Sequence, residues 1–173
     1  MFTFIVGAIG AAILFALSPL PARSHEGMVH EGCAAGQTFA TDELTVSGAF
    51  TRATLPGAGV AAGYLTITNA GTRPDRLIGA TTEATPTVEL HSMSTEDGMM
   101  KMAEIADGIE IPPGGSVSLA PGGAHIMFIG PRAPFSEGEC VAVTLTFEQA
   151  GELPVMLNVG AVGASSAPAH QGH

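Results

Sequence analysis

From Glu43 onward the chain is a succession of short runs rich in β-branched, aromatic and aliphatic residues, each cut off by Gly, Pro, Asn or Asp. No stretch holds a helical period with caps at both ends, so the 3.6-residue repeat that helices need is missing. The strongest run is Tyr64-Leu-Thr-Ile-Thr68, closed by the turn residues Asn69 to Pro74. Strands are expected at 44–50, 61–69, 76–80, 87–91, 99–105, 116–119, 124–130, 140–148 and 153–159. Pro112-Pro-Gly-Gly115 and Pro121-Gly-Gly123 separate three of them. Short strands at this spacing predict an all-β fold: a Greek-key β-sandwich of antiparallel strands, immunoglobulin-like or cupredoxin-like.

The flanking segments differ in texture. Phe2 to Leu20 is almost entirely apolar or small, and Pro19-Leu-Pro-Ala22 ends the run before Arg23-Ser-His25. This outlines a signal peptide over residues 1–24, with a small-residue cleavage point after Ala22 or Ser24. The run is also nearly long enough to span a bilayer as a retained anchor. Residues 25–41 read as an extended N-terminal arm, residues 42–159 as the folded domain, and residues 160–173 as a flexible tail of Ala, Gly, Ser and Pro with two His.

The formal charge is −10, and Lys and Arg form no cluster. That balance excludes nucleic acid as a partner and leaves membrane contact to the signal segment alone. Trp is absent, which argues against recognition of sugars or bases by stacking. The two cysteines, Cys33 and Cys140, suit a disulfide in an oxidising compartment. Such a bridge closes a loop of about a hundred residues and contributes roughly 4–5 kcal/mol in the chain-entropy model. Alternatively Cys33, close to His30, ligates a metal.

The chemistry is concentrated in His91-Ser-Met-Ser-Thr-Glu-Asp-Gly-Met-Met-Lys-Met102. Asp97-Gly98 is a strong hairpin signal. With a two-residue loop, Met93 faces Met102 and His91 lies diagonal to Met102. With a four-residue loop over Thr95 to Gly98, His91 faces Met102 directly. Either register puts His91, Met93, Met100 and Met102 on one face, because side chains repeat every two residues. The same rule puts His125 and Met127 together on another strand. Met is a common gap-filler and a strand His is usually an ordinary polar group, so either run alone reads as packing. Their coincidence points to a metal. Thioethers with imidazoles select Cu(I), and no cluster of Asp or Glu suited to Ca or Mg is evident.

These runs resemble the PCuAC family of periplasmic copper chaperones. The likeness rests on His91-Ser-Met, Asp97-Gly-Met-Met-Lys-Met102, Pro121-Gly-Gly-Ala-His-Ile-Met127 and Thr144-Leu-Thr-Phe-Glu148. It extends to Arg52-Ala-Thr54, Pro56-Gly-Ala58, Gly63-Tyr-Leu-Thr-Ile-Thr-Asn69 and Pro74-Asp-Arg-Leu77, and covers about residues 42–158. The resemblance implies a cupredoxin-like sandwich and a Cu(I) site made by His91, Met102, His125 and Met127, with Met93 as an auxiliary ligand or core residue. Ten residues separate His91 from Met102, as in the family motif; twenty-two separate Met102 from His125, one more than usual. It further implies a periplasmic carrier, not an enzyme, that delivers copper to apo-proteins such as cytochrome c oxidase subunit II, for the CuA centre, or to another copper chaperone. Some members hold Cu(II) in a His- and Met-rich tail; here the counterparts are His170 and His173, with His25 and His30 in the arm. The competing classes are a blue-copper electron carrier, which needs a Cys ligand, a hydrolase, for which no nucleophile motif is present, and a structural sandwich module.

Overall fold

The structure, a computed structural model, describes residues 29–31, 33–34 and 36–168. The expected signal segment 1–24 and His25, His170 and His173 lie outside the described residues. Among those described there are twelve strands and no helix. They are β1 (Val29–Glu31), β2 (Phe39–Ala40), β3 (Leu44–Arg52), β4 (Val60–Asn69), β5 (Asp75–Thr81) and β6 (Thr87–Glu96). Then come β7 (Met99–Glu104), β8 (Ile109–Ile111), β9 (Ser116–Leu119), β10 (His125–Ile129), β11 (Glu139–Phe147) and β12 (Gly151–Gly160). Each of the nine expected runs forms a strand. β1, β2 and β8 are additions that the sequence pattern does not predict; two or three residues are too few to display a period, and their partners define them.

The hydrogen-bonded path runs β7-β6-β10-β4-β3-β12-β11-β5-β8, with β1 on β11, β2 on β3 and β9 on β4. It has two free ends, so the sheet does not close into a barrel. Every pairing is antiparallel except that of β12 with β3. The long strands β4 and β11 each change neighbour half-way along one edge. β4 pairs β10 over Val60–Gly63 and β9 over Leu65–Thr68. β11 pairs β1 over Glu139–Val141 and β5 over Thr144–Phe147.

These changes of partner let the sheet curl over a single core. Alternating residues supply it: Leu44 and Val46 from β3, Leu65 and Ile67 from β4, Ile126 and Phe128 from β10, Val143 and Leu145 from β11, and Val155 and Leu157 from β12. The contact at Gly63 measures how tightly the layers close. A Cβ built there would meet Leu157 Cδ2 at 2.8 Å and Phe128 Cε2 at 2.9 Å. Overpacking of this kind costs about 1–3 kcal/mol, so Gly63→Ala should lower the denaturation midpoint by that amount without changing the m-value. A midpoint equal to that of wild type would show that the two side chains yield freely.

The arm and the tail are fastened by different means. Cys33 and Cys140 are joined in a disulfide, with Cα atoms 5.9 Å apart and 107 residues between them in sequence. Cys33 is therefore not a thiolate available to a metal. Past β12, residues 161–168 turn back, and Arg52 Nε donates to the Ala164 carbonyl at 2.7 Å. A guanidinium thus holds the start of a tail that has little apolar surface of its own to bury.

Candidate metal centre

The turn between β6 and β7 sets the geometry. Asp97 and Gly98 have φ of 52° and 77°, the left-handed pair of a two-residue type I′ hairpin. Paired residues are then Met93 with Met102, His91 with Glu104 and Thr95 with Met100. Of the two registers open to the sequence this is the first, and Met102 lies diagonal to His91. On the other edge of β6, β10 aligns His125 with His91 and Met127 with Glu89. The Met93 amide continues the ladder by donating to the Gly123 carbonyl at 3.2 Å.

Period two therefore gathers Glu89, His91 and Met93 on β6, Met100, Met102 and Glu104 on β7, and His125 and Met127 on β10 on one face. Leu90, Ile126 and Phe128 point the other way, into the core. Met99 belongs to the opposite face of the hairpin. His91 is central: His125 sits directly across on one side, while Met102 and Met127 are its diagonal neighbours on either side. Directly opposite and diagonal neighbours on a sheet lie about 4.5–8 Å apart, within reach of long side chains.

The two imidazoles are held by different nitrogens. Their ring centroids are 6.0 Å apart. His125 Nδ1–H donates to the Gly123 carbonyl at 3.0 Å, which leaves Nε2 with the lone pair. His91 Nε2–H donates to Glu89 Oε2 at 2.7 Å. His91 Nδ1 is buried and has no hydrogen-bond partner, a costly state for a polar atom unless something occupies it. This is the donor arrangement that a metal requires: one ring nitrogen fixed by an acceptor, the other free to bind.

The surroundings grade from enclosed to open. His125 is 5% exposed, the His91 side chain 13%, and Met102 50%. A row of rings backs His125 across the neighbouring strands: Tyr64 at 6.4 Å, then Phe50 at 5.0 Å from Tyr64, with the Arg52 guanidinium 5.4 Å above the Tyr64 ring. Among the described residues, no group of three or more His, Cys, Asp or Glu is placed to hold a metal ion. Further donors beside the two imidazoles would have to be thioethers, which favour a soft cation.

Glu89 is the functional residue that sequence reasoning misses. Its place two residues before His91 in Thr87-Val-Glu-Leu-His91 puts it on the same face, and that parity is the signal that could have found it. Of the flexible-segment histidines, only His30 falls within a strand: its backbone aligns with Cys140, and β11 is four neighbours along the sheet from β10.

Comparison with known proteins gives a consistent picture. Residues 44–159 match the family model described as "Putative lipoprotein LpqE-like". A curated relative from Leifsonia xyli subsp. xyli, "Putative lipoprotein Lxx21020", is 36% identical over 118 residues, 68% of this chain and 70% of that protein. The copper-bound PCuAC domain from PmoF2 superposes with a TM-score of 0.62 at 30% identity, covering 72% of this chain and 98% of that one. The solution structure of CuI-DR1885 from Deinococcus radiodurans gives 0.55 at 31% identity, covering 70% and 80%. The fold is thus the cupredoxin-like β-sandwich of these domains, and the chain belongs to the LpqE-like, or PCuAC, family.

Proposed function

We propose that this protein is an exported copper chaperone that binds one Cu(I) through His91, Met102, His125 and Met127 and passes it to a copper-accepting apo-protein. The observation that carries the reading is the pair of adjacent imidazoles, each with one ring nitrogen engaged and the other free, on a face shared with the four thioethers of Met93, Met100, Met102 and Met127. Solved relatives of this fold include copper-bound and CuI-bound forms, which supports copper as the cargo and Cu(I) as its state. The family and the curated relative carry lipoprotein names, which supports export, and we place the protein in the periplasm.

The chemistry fits a carrier. Thioethers have no proton to lose and form no disulfides, so they keep binding Cu(I) where thiolates would oxidise. Met102 stands half in solvent, so a recipient's donor can approach the copper from that side while the enclosed imidazoles still hold it. A stepwise exchange of ligands then moves the ion without releasing it to water. The CuA centre of cytochrome c oxidase subunit II is the recipient we propose, with another copper chaperone as the alternative acceptor. A blue-copper electron carrier is disfavoured, because both cysteines of the chain are consumed in the disulfide and that centre needs a thiolate. Anaerobic Cu(I) titration with X-ray absorption tests the assignment: one equivalent bound with mixed nitrogen and sulfur ligation is expected. No uptake, or ligation by nitrogen and oxygen alone, would leave a structural module as the better reading.

A further inference from the structure

We infer that Glu89 is a positioning residue of the copper site, fixing the tautomer of His91 so that the two histidines bind copper through different ring nitrogens, His91 by Nδ1 and His125 by Nε2. This rests on the proposed Cu(I) site.

A carboxylate can only accept, so the 2.7 Å contact places the His91 proton on Nε2. The lone pair is then on Nδ1, the buried atom with no partner. At His125 the acceptor is a backbone carbonyl, and the assignment reverses: the proton is on Nδ1 and the lone pair on Nε2. The two rings face each other across β6 and β10 in direct register. Opposite tautomers on aligned residues allow both lone pairs to be directed at the space between them.

Glu89 is suited to this task by its place in the sheet. It is two residues from His91 on the same face and directly opposite Met127. It is partly buried, with 31% of its side chain exposed, so the hydrogen bond is shielded from competing water. A carboxylate acceptor on the distal ring nitrogen restrains the ring and raises the donor strength of the other nitrogen; loss of such a partner typically weakens a metal site about 10–100-fold. Glu104 provides an internal comparison. It is also acidic and lies directly across from His91 on β7, but it is exposed, so it brings charge without the shielded contact.

The experiment uses the full exported domain, its Glu89→Ala, Glu89→Gln and Glu104→Gln variants, Cu(I) as the probe, and two readouts. Nitrogen-15 NMR of the imidazoles should show His91 in the Nε2–H form in the apo-protein. On loading with Cu(I), which is diamagnetic, the resonances that move should be His91 Nδ1 and His125 Nε2. Competition against a Cu(I) chelator should show Glu89→Ala about 10–100-fold weaker, with a mixed His91 tautomer. Glu89→Gln, whose amide oxygen can still accept the Nε2–H, should recover part of the affinity, and Glu104→Gln should match wild type. A shift at His91 Nε2 on loading would overturn the assignment. So would equal weakening by Glu104→Gln, which would reduce the effect to charge. If wild type takes up no Cu(I), the chaperone reading fails, while the apo-protein tautomers still decide the role of Glu89. If wild type binds Cu(I) and Glu89→Ala matches it in affinity and tautomer, the positioning role fails and the chaperone reading stands.

Discussion

Replacing His91 and His125 together by Ala is expected to abolish Cu(I) binding while the β-sandwich stays folded. Neither side chain belongs to the apolar core, which is assembled from the opposite faces of β6 and β10 around Leu90, Ile126 and Phe128. The structural loss is confined to the contact of His125 with Tyr64 and the hydrogen bonds of His91 to Glu89 and of His125 to Gly123. A stability change of about 1–3 kcal/mol, the ordinary range for a substitution that opens no core cavity, is the result expected from denaturant unfolding. The effect on copper should be far larger. Removing even an outer-shell partner of a ligand weakens a metal site about 10–100-fold, so removing two ligands outright should cost on the order of 10,000-fold or more. With only thioethers left on that face, chelator competition should detect no binding. Met99→Leu is the control within the same hairpin, because Met99 faces the other way and should be silent. A double-His variant that still bound one Cu(I) with wild-type affinity would refute the site.

Much of this arrangement is legible in the residues, and what is not has physical reasons. The parity of a strand is a local property, so the sharing of one face by His91, Met93 and Met102, and by His125 and Met127, follows from period two alone. The register of the hairpin does not. Two- and four-residue loops both keep that parity, and only the left-handed φ at both Asp97 and Gly98 distinguishes them. That β10 lies beside β6 is a matter of tertiary topology: about thirty residues intervene, and the sequence carries no mark of which strands become neighbours. The short strands β1, β2 and β8 are stable only because longer partners offer them an edge, so their own two or three residues cannot announce them. Glu89 lies on the right face, but its role stays hidden while acidic residues are weighed only as ligands for hard cations and not as acceptors for a ring N–H. The tail shows the same limit from the other side. Its composition predicts little burial, and its first residues are held instead by one guanidinium from Arg52.

Asp75→Ala is expected to destabilise the fold more than the loss of both histidines does. Asp75 opens β5 and is only 7% exposed. Its Oδ1 accepts from the amides of Arg76 at 2.7 Å and Gln149 at 2.9 Å, and its Oδ2 accepts from the amide of Ala150 at 3.0 Å. Gln149 and Ala150 form the turn that joins β11 to β12, and the amide of Glu148 donates to the Arg76 carbonyl at 2.9 Å beside them. One carboxylate thus ties the turn of the longest hairpin in the sheet to the strand paired with β11. Hydrogen bonds to a charged acceptor contribute about 1.5–3 kcal/mol each, and a buried donor left without a partner costs about 1–3 kcal/mol. Water will reach part of the exposed turn, so the net loss for Ala is about 3–5 kcal/mol rather than the full sum. For a domain of this size that corresponds to a fall in Tm of roughly 10–15 °C. Asn keeps one carbonyl oxygen but turns an amide NH2 toward one of the backbone donors, so Asp75→Asn should recover only about half of the loss. Cu(I) affinity of the folded fraction should be unchanged in both variants, since none of these bonds involves β6, β7 or β10. Unfolding free energies for the two variants within about 1 kcal/mol of wild type would mean that the turn holds without the carboxylate, and that the curl of the sheet rests on apolar packing alone.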